Sequence, residues 1–212
     1  IFSIKMVTKV KICGITNLED AMDAAVIGAD ALGFVFVKDT PRYIALKKAS
    51  DIIARLPPFL SKVGLFVNPT TDEVEDALSK CNFNLIQFHG DEKASFCQQF
   101  NVPYIKAVSV KSGVNLIEYA KSYQSASAIL LDTYSEEVRG GSGNTFDWNL
   151  IPKSISKPII IAGGLNKDNV KHLLSKITPY AIDVSSGVEI KKGKKDYQMM
   201  EKFILGVRNA TL

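Results

Sequence analysis

The chain has 212 residues, a length that allows one α/β barrel or two small domains. Hydrophobic residues make up 46% and charged residues 23%, which predicts a large core beneath a polar surface. The net charge of +4 is small and the lysines are scattered, which disfavours a nucleic-acid partner and suits a small anionic one. No apolar run approaches the roughly 20 residues of a membrane-spanning helix, so no membrane association is expected.

The three cysteines, Cys13, Cys81 and Cys97, have neither a CxxC motif nor the spacing of a Cys/His metal site. An odd number of unpaired cysteines is typical of a reducing compartment, so we expect a cytoplasmic protein without structural disulfides. Residues 1–5 precede Met6 and lack the apolar core of a signal peptide. We interpret residues 1–8 as an N-terminal extension with a lead-in, and residues 9–212 as a single domain.

Predicted strands and helices alternate along the chain. The first strand ends at Cys13, turns through Gly14, and is followed by a helix from Leu18 to Ile27 that Asn17 caps and Gly28 ends. Further strands are predicted at residues 31–36, 62–67, 85–89, 104–110, 128–133, 158–162 and 181–184. Further helices are predicted at residues 46–56, 72–80, 92–100, 116–123, 147–150, 168–177 and 196–207.

Eight strand–helix units of about 25 residues predict an α/β fold, a single closed (β/α)8 TIM barrel. Active sites of such barrels lie at the carboxyl ends of the strands. Cys13 ends the first strand, and Asp132 stands near the end of the sixth. We interpret this pair as a base and an acid on a bound sugar phosphate. A strand cysteine can also be a small buried apolar residue, and an aspartate can simply cap a turn.

Two polar loops follow the last two strands. Gly163 and Gly164 come after the seventh strand, and Ser185 and Ser186 after the eighth. Loops at these two positions commonly bind phosphate through backbone N–H groups, and serine hydroxyls add donors. The sequence therefore predicts a phosphate site here, although each loop alone would suit an ordinary tight turn.

Ten short motifs follow one another along the chain: KICGIT (11–16), GFVF (33–36), PRYI (41–44), VGLFVN (63–68), QFHG (87–90), LLDT (130–133), GGSG (140–143), TFDW (145–148), GGL (163–165) and DVSSGVE (183–189). In this order they resemble the phosphoribosylanthranilate isomerase family. The resemblance runs from residue 10 nearly to the C-terminus. It implies an isomerase of tryptophan biosynthesis that needs neither a metal nor an organic cofactor.

The resemblance also implies a reaction and the residues that perform it. The family converts N-(5′-phosphoribosyl)anthranilate to 1-(2-carboxyphenylamino)-1-deoxyribulose 5-phosphate by an Amadori rearrangement, with Cys13 as the general base and Asp132 as the general acid. Arg42 is expected near the anthranilate carboxylate and Asp183 near the ribose hydroxyls. His89 ends the fourth strand, where it is either a substrate-facing residue or an ordinary satisfied polar side chain.

Other interpretations of the site stay open at this point. Another sugar-phosphate barrel enzyme would use other catalytic groups, lysine and glutamate or two aspartates, and a non-catalytic phospho-sugar-binding barrel would need neither Cys13 nor Asp132. The sixth loop carries Asn144 where many relatives have lysine, and its glycines make it a candidate lid. A monomer and a homodimer are both compatible with the sequence.

The alternation of side chains along the first strand gives one further prediction. If Cys13 points into the barrel mouth, Lys11 points inward one layer below it. A buried ammonium requires a partner, so we expect an ion pair between Lys11 and Asp183, with the lysine charge favouring the Cys13 thiolate.

Overall fold

The computed structural model describes residues 7–111, 113–133, 147–152 and 154–211. Eight parallel strands form a closed ring in chain order, and the last strand pairs with the first. The strands are β1 (Lys9–Cys13), β2 (Ala31–Val35), β3 (Ser61–Phe66), β4 (Leu85–Phe88), β5 (Tyr104–Val110), β6 (Ala128–Thr133), β7 (Ile159–Ile161) and β8 (Ala181–Val184). The predicted TIM-barrel fold is therefore confirmed.

Seven α-helices lie in the described part of the chain. They are α1 (Leu18–Ile27), α2 (Leu46–Ile53), α3 (Thr71–Lys80), α4 (Ala94–Cys97), α5 (Leu116–Ser122), α6 (Val170–Lys176) and α7 (Tyr197–Thr211). A short hairpin, β9 (Glu189–Lys191) and β10 (Lys194–Lys195), follows β8. None of these helices combines the length and the apolar character needed to cross a membrane.

The first and third helices begin as their sequences predict. The Asn17 side chain accepts a hydrogen bond from the Asp20 N–H at 2.9 Å, and Gly28 ends α1 in the left-handed conformation, with φ of 97°. Thr70 and Glu73 form a reciprocal capping box at the start of α3. These local contacts fix where each helix leaves the barrel rim.

Four helices, α2, α4, α5 and α6, are shorter than predicted, and for α2 and α4 the local cause is visible. The predicted helix at residues 92–100 is only Ala94–Cys97, because the Glu92 carboxylate accepts hydrogen bonds from Asn68 N–H, Gly90 N–H and Lys106 and so belongs to the preceding loop. The predicted helix at 46–56 ends at Ile53, where i→i+3 hydrogen bonds tighten the chain ahead of Pro57.

The sixth strand–helix unit departs most from the expected pattern. Between β6 and β7 the described residues contain a 3₁₀ turn, Trp148–Leu150, which Asp147 caps as predicted. The predicted lid, residues 134–145 with Asn144, lies outside the described residues.

Two apolar layers hold the barrel together. The larger core lies between strands and helices and includes Ile12, Leu32, Phe34 and Phe203. A second layer fills the ring from inside, built from the alternate residues Leu85, Ile105, Ala107, Ala128, Leu130, Ile160, Ala162 and Ala181. This packed layer fills the barrel interior below the carboxyl ends of the strands.

Candidate active site

A cavity of about 580 Å³ opens at the carboxyl ends of the strands. All nine residues that the sequence singled out as site residues line it: Cys13, Arg42, His89, Asp132, Gly163, Gly164, Asp183, Ser185 and Ser186. The folding of eight separate strands therefore brings the whole predicted set to one place, and the volume suits a drug-sized ligand.

Cys13 lies at the end of β1, where only 5% of its surface is exposed. The Ser185 hydroxyl donates to the Cys13 carbonyl at 3.0 Å, which ties the end of β1 to the loop after β8. Burial raises the pKa of the Cys13 thiol, and the charges of Lys11 and Lys195 act in the opposite direction. The site therefore holds a thiol whose ionisation depends on neighbouring cations.

Lys11 lies one layer below Cys13, as strand alternation predicts. Its Nζ donates to Asp183 Oδ1 at 3.0 Å, and both side chains are almost fully buried. The predicted ion pair is confirmed. Burial disfavours the ammonium form, but the charges of Asp183 and Cys13 outweigh this, so the pKa of Lys11 lies above its ordinary value.

Asp132 is held in β6 by two hydrogen bonds. Thr133 N–H donates to Oδ1 at 2.8 Å, and His89 Nε2 lies 3.0 Å from Oδ2. On its other side, His89 Nδ1 lies 2.8 Å from Gln87 Nε2, an amide nitrogen that can only donate. The side chains of Gln87 and Asp132 thus hold the His89 ring between them.

The loop after β7 turns through two glycines with positive φ, close to the end of β6. Gly163 and Gly164 have φ values of 84° and 62°, a region that glycine enters without steric cost. A β-carbon on Gly163 would lie 2.6 Å from the Thr133 nitrogen and 2.7 Å from Asp132 Oδ1. In the loop after β8, the Ser185 hydroxyl already donates to the Cys13 carbonyl. The donors left for a ligand in this loop are therefore backbone N–H groups and the Ser186 hydroxyl.

Comparison with known proteins identifies the family. The family model for N-(5′-phosphoribosyl)anthranilate isomerase matches residues 10–205. An isomerase of that name from Pseudomonas fluorescens is 51% identical over 198 residues, which cover 93% of this chain and 97% of the relative. The chain belongs to the N-(5′-phosphoribosyl)anthranilate isomerase family.

Solved structures of phosphoribosylanthranilate isomerases have the same fold. The Thermotoga maritima enzyme superposes with a TM-score of 0.88 at 40% identity, covering 95% of this chain and 99% of that one. A second phosphoribosylanthranilate isomerase, at TM-score 0.85, 38% identity and the same coverage, was solved in complex with reduced 1-(o-carboxyphenylamino)-1-deoxyribulose 5-phosphate. The sequence-based assignment to an isomerase family of tryptophan biosynthesis is confirmed.

In this family member, Arg42 has a partner that the sequence did not suggest. Its Nε and Nη2 donate to the two carboxylate oxygens of Glu189, each at 2.9 Å. Lys195, whose side chain is fully buried, donates to the same carboxylate at 2.8 Å and contacts the Ser185 carbonyl at 3.2 Å. Arg42 and Lys195 outweigh burial and hold the pKa of Glu189 below its ordinary value.

Sequence reasoning did not assign a role to Glu189 or Lys195. Glu189 closes the DVSSGVE motif, and Lys195 ends a lysine-rich stretch that resembles a solvated turn. The only local signal was Gly193, which indicates a hairpin that could fold the second strand back onto the first. The partner of Glu189, Arg42, lies 147 positions earlier and was not predictable as such.

Proposed function

We propose that this chain catalyses the Amadori rearrangement of N-(5′-phosphoribosyl)anthranilate to 1-(2-carboxyphenylamino)-1-deoxyribulose 5-phosphate. The observation that carries this proposal is the shared cavity. Cys13 and Asp132 line it together from two strands that β7 and β8 separate in the ring, beside the predicted phosphate loops. The reported complex of a 38% identical isomerase with a reduced aminoketose phosphate supports the same substrate class.

The acid step is assigned to Asp132. Opening of the furanose requires a proton on the ring oxygen, and a protonated carboxyl in a water-poor cavity can deliver it. The C1–O bond then breaks as the anthranilate nitrogen donates its lone pair, which gives an iminium ion. His89 and Thr133 N–H hold the two carboxylate oxygens of Asp132, so the group is oriented before the substrate arrives.

The base step is assigned to Cys13. The iminium ion acidifies the hydrogen on C2, and the Cys13 thiolate removes this proton to give an enolamine, which tautomerises to the ketone. The charges of Lys11 and Lys195 favour the thiolate against the effect of burial. Protons are thus conserved over the reaction, which needs no redox partner.

The remaining predicted residues are assigned to binding. Gly163, Gly164 and Ser185 would present backbone N–H groups to the phosphate, with the Ser186 hydroxyl as a further donor. Arg42 would pair with the anthranilate carboxylate, and Asp183 would accept hydrogen bonds from the ribose hydroxyls. His89 would act through its contact with Asp132.

The test is turnover of freshly prepared N-(5′-phosphoribosyl)anthranilate, followed by the loss of anthranilate fluorescence. Cys13→Ala and Asp132→Asn are each expected to lower kcat by about 10²–10⁴-fold, the usual contribution of a general acid or base. Cys81→Ala, at a buried cysteine outside the cavity, is the matched control and should retain wild-type turnover. Equal turnover in all four proteins would assign the catalysis to other groups, and no turnover in the wild type would indicate a barrel that only binds its ligand.

A further inference from the structure

The hairpin after β8 packs against the loop that carries Arg42. The Thr16 hydroxyl donates to the Gly193 carbonyl at 2.7 Å, and a β-carbon on Gly193 would collide with the Pro41 carbonyl. Within the hairpin, Lys195 on β10 is the cross-strand partner of Glu189 on β9. The hairpin therefore presents Glu189 and Lys195 as a unit to the wall that Arg42 occupies.

Glu189 uses only one edge of the Arg42 guanidinium. Among the described residues, the hydrogen bonds of this group run from Nε and Nη2 to Glu189. The remaining N–H groups, two on Nη1 and one on Nη2, form a second fork of the kind that pairs with a carboxylate. Arg42 lines the cavity, whereas Glu189 and Lys195 are not among the described residues that do.

The charges of this cluster do not cancel. Arg42 and Lys195 are two cations that share one carboxylate, and the Glu189 and Lys195 side chains are 4% and 0% exposed. Glu189 alone would orient Arg42 but would also neutralise its charge and repel an incoming anion. Lys195 offsets this repulsion, so the oriented fork keeps a net positive charge.

We infer that Glu189 and Lys195 are positioning residues that hold Arg42 side-on, so that its free fork selects a substrate bearing an aromatic carboxylate. Neither residue touches the ligand, and Lys195 acts through Glu189 and Arg42. This inference rests on the proposed function for the identity of the carboxylate, and it concerns selection among ligands instead of the rate of the chemical step.

The experiment measures binding of two probes by calorimetry. One is reduced 1-(o-carboxyphenylamino)-1-deoxyribulose 5-phosphate, and the other is the same compound without the aromatic carboxylate. Lys195→Gln keeps a hydrogen-bond donor for Glu189 but removes the charge. We expect this variant to bind the carboxylated probe about tenfold more weakly and to bind the other probe with unchanged affinity. Only the carboxylated probe can pair with the free N–H groups of Arg42.

Matched variants separate this role from a merely structural one. Lys195→Arg keeps the charge and should retain the preference for the carboxylated probe, as should Lys191→Met, which removes an exposed lysine of the same hairpin. Arg42→Lys keeps the positive charge, but an ammonium lacks the two forks that would pair with Glu189 and with a ligand carboxylate at once. This variant should therefore lose the preference for the carboxylated probe. This variant also tests the fork if Lys195→Gln does not fold.

Equal weakening of both probes by Lys195→Gln, or no weakening of either, would overturn the inference. A preference that survives in Arg42→Lys would do so as well. Wild-type turnover of N-(5′-phosphoribosyl)anthranilate is measured separately. If the wild type has no turnover yet prefers the carboxylated probe, the proposed reaction fails while the selection by Arg42 stands.

Discussion

The ionisation of Cys13 depends on two buried charges of opposite sign one layer below it. Lys11 and Asp183 form an ion pair at 3.0 Å, and each acts on the thiol. Lys11 lowers the pKa of Cys13, and Asp183 raises it. The two members of the pair therefore have opposite effects on the proposed base.

Removal of Lys11 and removal of Asp183 should shift the pKa of the Cys13 thiol in opposite directions. Lys11→Met is expected to raise the pKa of Cys13, and Asp183→Asn is expected to lower it, since each deletes one charge beside the same sulfur. The measurement is the pH dependence of the rate of alkylation by iodoacetamide. Cys81 and Cys97, the other two cysteines, are replaced by alanine in both variants, so that only Cys13 can react.

Both variants break the same buried pair, so each serves as the control for the other's structural damage. Shifts of the same sign in the two variants would show that disruption of the interior, instead of charge, sets the reactivity of Cys13.

At the scale of elements, the loop after β7 is restricted by how closely it approaches β6. Gly163 has φ of 84°, and a β-carbon at this position would collide with the Thr133 hydroxyl and nitrogen and with Asp132 Oδ1. A side chain here would therefore push on the end of β6 that carries the proposed acid.

Two glycine-to-alanine variants separate the close approach of Gly163 to β6 from the ordinary backbone cost of a positive φ. Gly163→Ala is expected to lower kcat by at least about tenfold, because its methyl group would displace a proposed general acid. Gly28→Ala, with φ of 97° and open space around it, should show only the backbone penalty of about 1–2 kcal/mol in unfolding free energy and an unchanged kcat. Similar kcat values in both variants would exclude a role for the Gly163–Asp132 approach.

The strands and their ends were predictable because period-2 burial and buried apolar runs are local signals. Strand alternation placed Lys11 inside the barrel, and the need of a buried ammonium for a counter-charge suggested Asp183, its register partner on β8. The cluster of Arg42, Glu189 and Lys195 was not predictable, because it depends on how a hairpin packs on a loop far away in sequence. The short α4 was missed for a similar reason, since the Glu92 side chain is recruited by Lys106 and by backbone N–H groups of the rim.

At the scale of the whole molecule, the two ends of the chain are joined on the amino-terminal side of the barrel. Arg208 in α7 donates to the Thr8 carbonyl at 2.9 Å, to the Gly28 carbonyl at 3.0 Å and to Asp30 Oδ2 at 2.7 Å. Despite partial burial, contacts with Arg208, Val10 N–H and Lys9 hold the pKa of Asp30 below its ordinary value of 3.8. These contacts tie α7 to the residues that precede β1 and β2, on the side away from the cavity.

The Arg208 contact should therefore affect stability without affecting catalysis. Arg208→Met is expected to lower the free energy of unfolding at neutral pH by about 1–2 kcal/mol and to leave kcat and KM unchanged. The folded pKa of Asp30 is depressed, so its contribution is present above pH 3.8 and is lost as pH falls through the folded value. The difference between wild type and variant should shrink over that acidic range in urea titrations.

Arg55→Met, at an exposed arginine just after α2, is the control and should change the free energy of unfolding little at any pH. A stability difference for Arg208→Met that stays constant down to acidic pH would assign its effect to the two carbonyl contacts instead of Asp30.

The ion pair between Lys11 and Asp183 joins residues 172 positions apart, on the first and last strands of the ring. During synthesis, a ribosome-bound chain that has emerged only as far as β7 therefore carries the thiol and its lysine without the aspartate that balances that lysine. The nascent chain acquires the charge environment of Cys13 only when the final strand docks, so the onset of thiol reactivity during translation would report the moment of ring closure.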